Sequence, residues 1–241
     1  MELRNGRARA LAVGIGVGLD GEATAGEPTE SGQAAPAEGH QDGGAAGRRL
    51  PPMPESAWSP EVREMLRGTQ GRVASLEGSG QRKPDEVLAI LRTMAYHPRI
   101  MKPFLGFATA IAQQGALSRR DSELLALRAS WNCGSDFEWG HHVKYAQVAG
   151  LTDAEIARIA VGPDAPGWSA EDRDLLRLAD QLHARQQIDA ALWRRLDARF
   201  DEAQLVELPF VVGQYTMLSM VANMTGVALE SGHDPLPAGP R

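Results

Sequence analysis

Four side chains within one twenty-residue stretch, Glu123, Ser135, Glu138 and His142, have the types and spacing to move protons. Counted from Ser135, Glu138 lies three residues on and His142 seven on, offsets that stack side chains on one face of a helix. Trp139, Val143 and Ala146 border that face, so the polar trio would sit in an apolar wall. Glu123 stands twelve residues before Ser135, on the preceding helical segment, and the turn Asn132-Cys133-Gly134 could fold it back toward His142. A carboxylate can orient an imidazole and raise its basicity while a second carboxylate relays the proton. His142 is therefore the candidate proton-transfer group, Glu123 its orienting partner, and Glu138 a second acid/base or substrate contact. Ser135 and Trp139 are the candidate substrate contacts.

Each of these residues also has a purely architectural reading. Ser135 and Glu138 match the pattern of a helix N-cap with an acid three residues on. His142 could be a hydrogen-bonded core histidine. Glu123 stands in the first turn of its helix, where the helix dipole favours an acid. Trp139 suits a core or pocket wall, and Cys133 a small turn residue. His141 points about a hundred degrees from His142 and suits packing or a subunit contact; adjacent histidines on a helix diverge too far to chelate a metal. Gln214, Tyr215 and Asn223, near the C-terminus, could reach the same pocket or another subunit.

The elements that must hold these residues read as helices throughout. Ser118, Ser135, Thr152 and Ser169 each precede an acid by three residues, the signature of a helix start. Ser59-Pro60 opens a helix after Trp58, one helix is expected from about Pro84 to Tyr96, and His97-Pro98 ends it. The next runs from about Ile100 to Gln114, with Gly115 as its C-cap, and Gly150 and Gly162 close two more. Apolar residues recur at three and four: Leu124, Leu127 and Trp131, then Leu175, Leu178 and Leu182. No alternating strand pattern and no repeat of fixed period is present, so the fold class is all-α, with seven or eight helices.

Composition bounds the rest. The chain has 241 residues and a formal charge of −6, which gives no electrostatic case for nucleic acid. The charge alternation Arg173, Asp174, Arg177, Asp180 reads as a solvated face. A lone Cys133 permits no intrachain disulfide and no all-cysteine zinc site, so neither a metal nor another cofactor is expected, and a cytoplasmic setting fits. Arg4, Arg7 and Arg9 precede the short apolar run Leu11–Leu19, which resembles the first regions of a signal peptide but is broken by three glycines and lacks a cleavage site. Residues 1–49 are expected to be a disordered extension, 50–230 one helical domain, and 231–241 a flexible tail. From Leu208 to Leu229 no residue is charged, yet Pro209, Gln214, Ser219 and Asn223 interrupt the stretch, favouring a helix buried in a bundle or at a subunit contact over a membrane span.

The framework of Glu123, Ser135, Glu138 and His142 resembles the signature of the carboxymuconolactone decarboxylase and alkylhydroperoxidase D-like superfamily, whose redox members follow E-x11-C-x2-C-x3-H. The resemblance extends from Leu50 to Glu230, through LPPMPESAWSPEVREML, HHVKYAQVAGLTDAEI and the run from LADQLHARQQ onward. Both cysteine positions are replaced here, by Ser135 and Glu138. A serine cannot cycle through sulfenic acid, so disulfide-based peroxide reduction is not expected. The resemblance implies instead a cofactor-independent acid/base enzyme acting on a small carboxylated or lactone-like metabolite, as in the decarboxylase members. It also implies a homo-oligomer, a trimer or a dimer of trimers, with pockets near subunit contacts. Two other readings stand beside it: a thiol-dependent peroxidase using Cys133, and a non-catalytic binding or scaffold protein with a degenerate site.

Overall fold

The computed structural model describes residues 49–67 and 88–238. The expected N-terminal extension with its arginine-led apolar run, the polar stretch Glu77–Lys83, the start of the helix expected from Pro84, and residues 239–241 lie outside them. Among the described residues every regular element is helical. A single 3₁₀ turn, Glu55–Ala57, precedes α1 (60–67), α2 (Ala89–Met94), α3 (Pro98–Gln114), α4 (Arg119–Asn132) and α5 (Asp136–Val148). Then follow α6 (Asp153–Val161), α7 (Ala170–Arg185), α8 (Ala190–Asp197) and α9 (Glu202–Thr225).

The caps are where the side chains place them. Ser118, Ser135 and Ser169 each accept a hydrogen bond from the backbone N–H three residues on, and Thr152 and Glu155 cap each other reciprocally. Each such cap contributes about 1 kcal/mol by occupying a backbone donor that the helix leaves open. Asp189 and Asp201 do the same for α8 and α9. Pro98 occupies the first turn of α3, where its missing N–H costs nothing.

The bundle is built around α4, whose residues are buried without interruption from Asp121 to Trp131. It packs against α5, α7 and α9. Leu124, Leu125 and Leu127 meet Leu175 and Leu176 of α7 and Val211 of α9 in one core, each contributing roughly 1.5–3 kcal/mol by leaving water. A helix enclosed on every side must also pair its charges internally. Asp121 accepts from Arg199, while Arg128 binds Asp180 and the Ile159 carbonyl. The alternating charges of α7 are therefore not a solvated face throughout: Asp174 is buried against Arg195, and Asp180 turns inward to Arg128 and Asn132.

Gly115 is the C-cap of α3, as expected, in extended backbone; a Cβ there would strike the Glu207 carboxylate, which accepts from the N–H groups of Ala116 and Leu117. One local expectation differs from the structure. The segment after Glu230, expected as a flexible tail, lies along α5 instead. Leu236 packs on the core and its N–H donates to Asp136. Gly140 makes room for the strap, since a Cβ would meet Leu229 and the Asp234 carbonyl.

By length and composition α9 could cross a membrane, but its inner row of Leu208, Val211, Val212, Tyr215, Leu218 and Ala222 is buried in the bundle.

Candidate active site

The turn at Asn132–Ser135 reverses the chain and lays α5 against α4. Gly134, with φ of 62°, makes the reversal possible, since this left-handed conformation strains a residue bearing Cβ. The consequence is that Glu123 and His142, nineteen residues apart, meet: Nδ1 of His142 lies 2.6 Å from Glu123 Oε2. A carboxylate only accepts, so Nδ1–H donates and Nε2 is left as the free lone pair. Nε2 is turned toward Glu138, 3.8 Å from its Oε2. That is too long for a hydrogen bond, yet close enough for one ligand atom to reach both groups.

Glu123 is fully buried, and its other oxygen pairs with Arg119 at 2.6 Å. The His142 ring stands edge-on to Tyr215 at 4.2 Å and to Tyr145 at 5.2 Å. Burial, reinforced by the Glu123 charge, pushes the Tyr215 hydroxyl far above the usual phenol range, so it stays protonated. Glu138 is pushed up to about 7: burial dominates, the His141 charge opposes it, and the Glu230 charge adds to it.

These groups line one side of a cavity of about 410 Å³ whose other walls are mostly apolar. His142, Glu138, Tyr145, Tyr215 and Gln214 form the polar side, with Arg119 at its edge; Leu91, Phe104, Leu105, Phe137 and Leu218 supply the rest. The size suits a small organic molecule. Lys102 and Glu64 also line the cavity, so its wall holds two cationic side chains, Lys102 and the Glu123-paired Arg119, beside a further carboxylate.

A second histidine–glutamate pair adjoins the first. His141, expected for packing or a subunit contact, lines the same cavity, with Nε2 2.7 Å from Glu230 Oε2. Its ring lies 4.7 Å from Phe137 and 4.2 Å from His233. Burial works to raise the Glu230 carboxyl, but His141 and the Ala89 N–H outweigh it and hold the group below its ordinary value.

Of the five candidate site residues, the structure brings Glu123, Glu138 and His142 together and keeps two apart. Ser135 is buried at the helix start, where its hydroxyl caps the Glu138 N–H, and it does not line the cavity. Trp139 points into the core beside Trp131, ring centroids 5.9 Å apart, and does not line it either. Gln214 and Tyr215 reach the cavity, whereas Asn223 donates to the Cys133 carbonyl. Cys133 lies outside the lining, 3.8 Å from Nδ1 of His183, and burial pushes its thiol up, away from the reactive thiolate. Arg119 was detectable as an i,i+4 partner of Glu123. Glu230 and Tyr215 have no comparable local signal. Among the described residues, no three of the His, Cys, Asp and Glu side chains are gathered as metal ligands would be.

Residues 98–181 match the model of the carboxymuconolactone decarboxylase family. No curated protein matches the chain. A peroxidase-related protein from Ralstonia eutropha with an alkylhydroperoxidase AhpD core superposes with a TM-score of 0.62 at 15% identity, over 76% of this chain and 93% of its own. The debrominase Bmp8 bound to 2,3,4-tribromopyrrole gives 0.62 at 14% identity, over 78% and 95%. A protein of unknown function from Agrobacterium tumefaciens, assigned to AhpD-type antioxidant defence, gives 0.53 at 22% identity, over 57% and 94%. At such identities the likeness establishes the fold; the chemistry has to be argued from the side chains.

Proposed function

The chain belongs to the carboxymuconolactone decarboxylase/AhpD-like superfamily, and we propose that it is a cofactor-independent acid/base enzyme acting on a small carboxylated or lactone-like metabolite. One observation carries this reading: a fully buried Glu123 holds His142 by Nδ1, leaving Nε2 beside a Glu138 whose carboxyl is pushed up to about 7. Near neutral pH that pairing offers a proton donor and a proton acceptor to the same substrate atom.

The chemistry follows from the roles. In a decarboxylation the bond between the substrate carbon and its carboxylate breaks, CO2 departs, and the electron pair stays on carbon, delocalised into an adjacent carbonyl. Protonated Glu138 delivers a proton to that carbon, and His142 then takes a proton from solvent at Nε2 and passes it to the carboxylate left behind, 3.8 Å away. The Tyr215 hydroxyl stays a hydrogen-bond donor to the developing oxyanion. Arg119 and Lys102 hold the substrate's own carboxylate before it is lost. In an isomerisation His142 Nε2 removes a proton and Glu138 returns one at a second carbon, and the pair is restored when the imidazolium proton passes to the Glu138 carboxylate. The apolar walls exclude water and strengthen these interactions.

The replacement of both redox cysteines and the position of Cys133 outside the cavity weigh against thiol-based peroxide reduction. The decisive assay incubates purified protein with a panel of carboxylated lactones and related enolisable acids in D2O, following CO2 release and deuterium uptake at carbon. Turnover should persist in Cys133→Ala and be lost in His142→Ala. Turnover that survives His142→Ala would refute the reading, as would peroxide consumption abolished by Cys133→Ala.

A further inference from the structure

Gln214 lines the cavity from α9 with a carbonyl oxygen that the protein leaves unanswered. The residue is only 5% exposed, yet among the described residues its Oε1 has no hydrogen-bond donor. The other end of the amide is engaged. Gln214 hydrogen-bonds the Tyr215 hydroxyl in the sense that stabilises the phenolate, so the amide N–H donates and the phenol oxygen accepts. That partner distinguishes the two ends of the amide and leaves Oε1 as the one without a bond. Arg119, the nearby guanidinium, is committed to Glu123 at 2.6 Å. Gln214 also borders a shallow depression on the outward side of α9, but Phe107, Pro209, Phe210 and Met217 offer no polar side chain there. The Tyr215 hydroxyl feels the charges of Glu123, Arg119 and Glu138, so the amide that holds it belongs to the cavity side. A buried acceptor left without a donor costs more than a typical hydrogen bond gains, and a cavity is where a ligand can supply one.

We propose that Gln214 Oε1 accepts a hydrogen bond from an O–H or N–H group of the substrate, and that it selects small acids carrying such a donor beside the carbonyl that Tyr215 serves. One amide group and one hydrogen bond separate Oε1 from the phenol oxygen, a span of about 5 Å at most. Gln214 accepts and the Tyr215 hydroxyl donates, so together they present an acceptor next to a donor. The complement is a substrate with a donor next to an acceptor: a hydroxyl or enol beside a carbonyl, or a lactam N–H beside its own. The Tyr215 ring stands 4.2 Å from that of His142, which places the recognised donor close to the atoms His142 and Glu138 reach. A lactone acid with no free hydroxyl or enol would leave Oε1 buried and unpaired, and a polar site rejects the analogue that lacks its partner.

This narrows the substrate class of the acid/base site and rests on that reading only for where the reacting carbon lies. Binding and turnover separate the two. A donor preference without turnover of any acid in the panel would sink the acid/base reading and leave the role of Gln214 standing. Turnover without a donor preference would do the reverse.

The test is calorimetric binding of two matched pairs of probes to the full-length protein. Pyroglutamate is compared with its lactone counterpart, in which the ring N–H is an oxygen, and meta-hydroxybenzoate with benzoate. In at least one pair the wild type should bind the donor-bearing member about 10- to 100-fold more tightly. A preference in the first pair alone assigns the donor as N–H, and in the second alone as O–H. Gln214→Met, of similar length but with no acceptor, should bring that ratio close to one by weakening the donor-bearing member. Gln214→Asn, which keeps the amide but shortens its reach, should fall between the two. Both ratios near one in the wild type overturn the proposal, as does no binding of any of the four probes at millimolar concentration. So does a wild-type preference that survives unchanged in either variant, because another group would then be the acceptor.

Discussion

His141 and His142 are neighbours on one helix, line the same cavity and each holds a glutamate at nearly the same distance, 2.7 and 2.6 Å. Their partners differ in kind. Glu123 is fully buried on the central helix and is clamped on its other side by Arg119. Glu230 belongs to the strap after α9, retains partial exposure and also caps the Ala89 N–H that opens α2. The first pair is thus built onto the continuously buried central helix and aimed at Glu138. The second ties the segment after α9 to α2 and α5. Between them, Glu138 feels both, lowered by the His141 charge and raised by that of Glu230. Under the proposed function, similar pair geometry serves two ends: a positioned proton carrier in one case, a fastening that tunes a neighbouring acid in the other.

The largest separation between the pairs should come from deleting each imidazole. His142→Ala should lower kcat by about 10³-fold or more, whereas His141→Ala should cost less than about tenfold. Equal losses in a turnover assay would erase the distinction. Glu123→Gln should follow, with a loss of about 10²-fold in kcat at little change in KM, because the amide can donate to Nδ1 and so favour the wrong tautomer.

Glu138 offers a test through pH. Its carboxyl is neutral below about 7 in the folded chain but ionises in the ordinary carboxylate range once unfolded. The native state therefore binds more protons across that window, and stability falls as pH rises from about 4.5 to about 7. Glu138→Gln should remove that slope, gaining about 2–3 kcal/mol relative to wild type between pH 5 and pH 8 in denaturant titrations. Because the amide cannot deliver the proton, the same substitution should also lower kcat by about 10²-fold or more, and the residual rate should have no alkaline limb. The second pair should then move that limb in opposite senses: Glu230→Gln toward acid, because a charge that raises Glu138 is gone, and His141→Asn toward alkali. Rate changes below about tenfold are expected in both. Smallest of all is Ser135→Ala, which should cost about 1 kcal/mol of stability as a lost cap and leave kcat unaltered. A selective rise in KM would restore Ser135 to the substrate.

Much of this was legible beforehand because helices write their geometry locally. Capping serines and threonines with acids three residues on marked the starts of α4 to α7, and the offsets among Ser135, Glu138 and His142 follow from 3.6 residues per turn. The meeting of Glu123 with His142 was anticipated from the short turn between them, since two helices joined by so few residues must lie side by side. Ser135 and Trp139 show the limit of that reasoning. A shared stripe on a helix can face either a cavity or a core, and Trp139 turns to Trp131 while Ser135 spends its hydroxyl on the helix end.

From the sequence alone come the helical class, the caps that start α4 to α7, the replacement of both redox cysteines and the candidate trio. All are set by contacts within a few turns of the chain. The tertiary structure decided which faces enclose a cavity, that Tyr215 and Gln214 arrive there from α9, and that Glu230 returns across 89 residues to His141. It alone set Glu138 in a desolvated wall, and that burial is what moves its proton affinity toward neutrality. Burial and long-range pairing are properties of packed helices rather than of any one of them, so no local pattern could carry them.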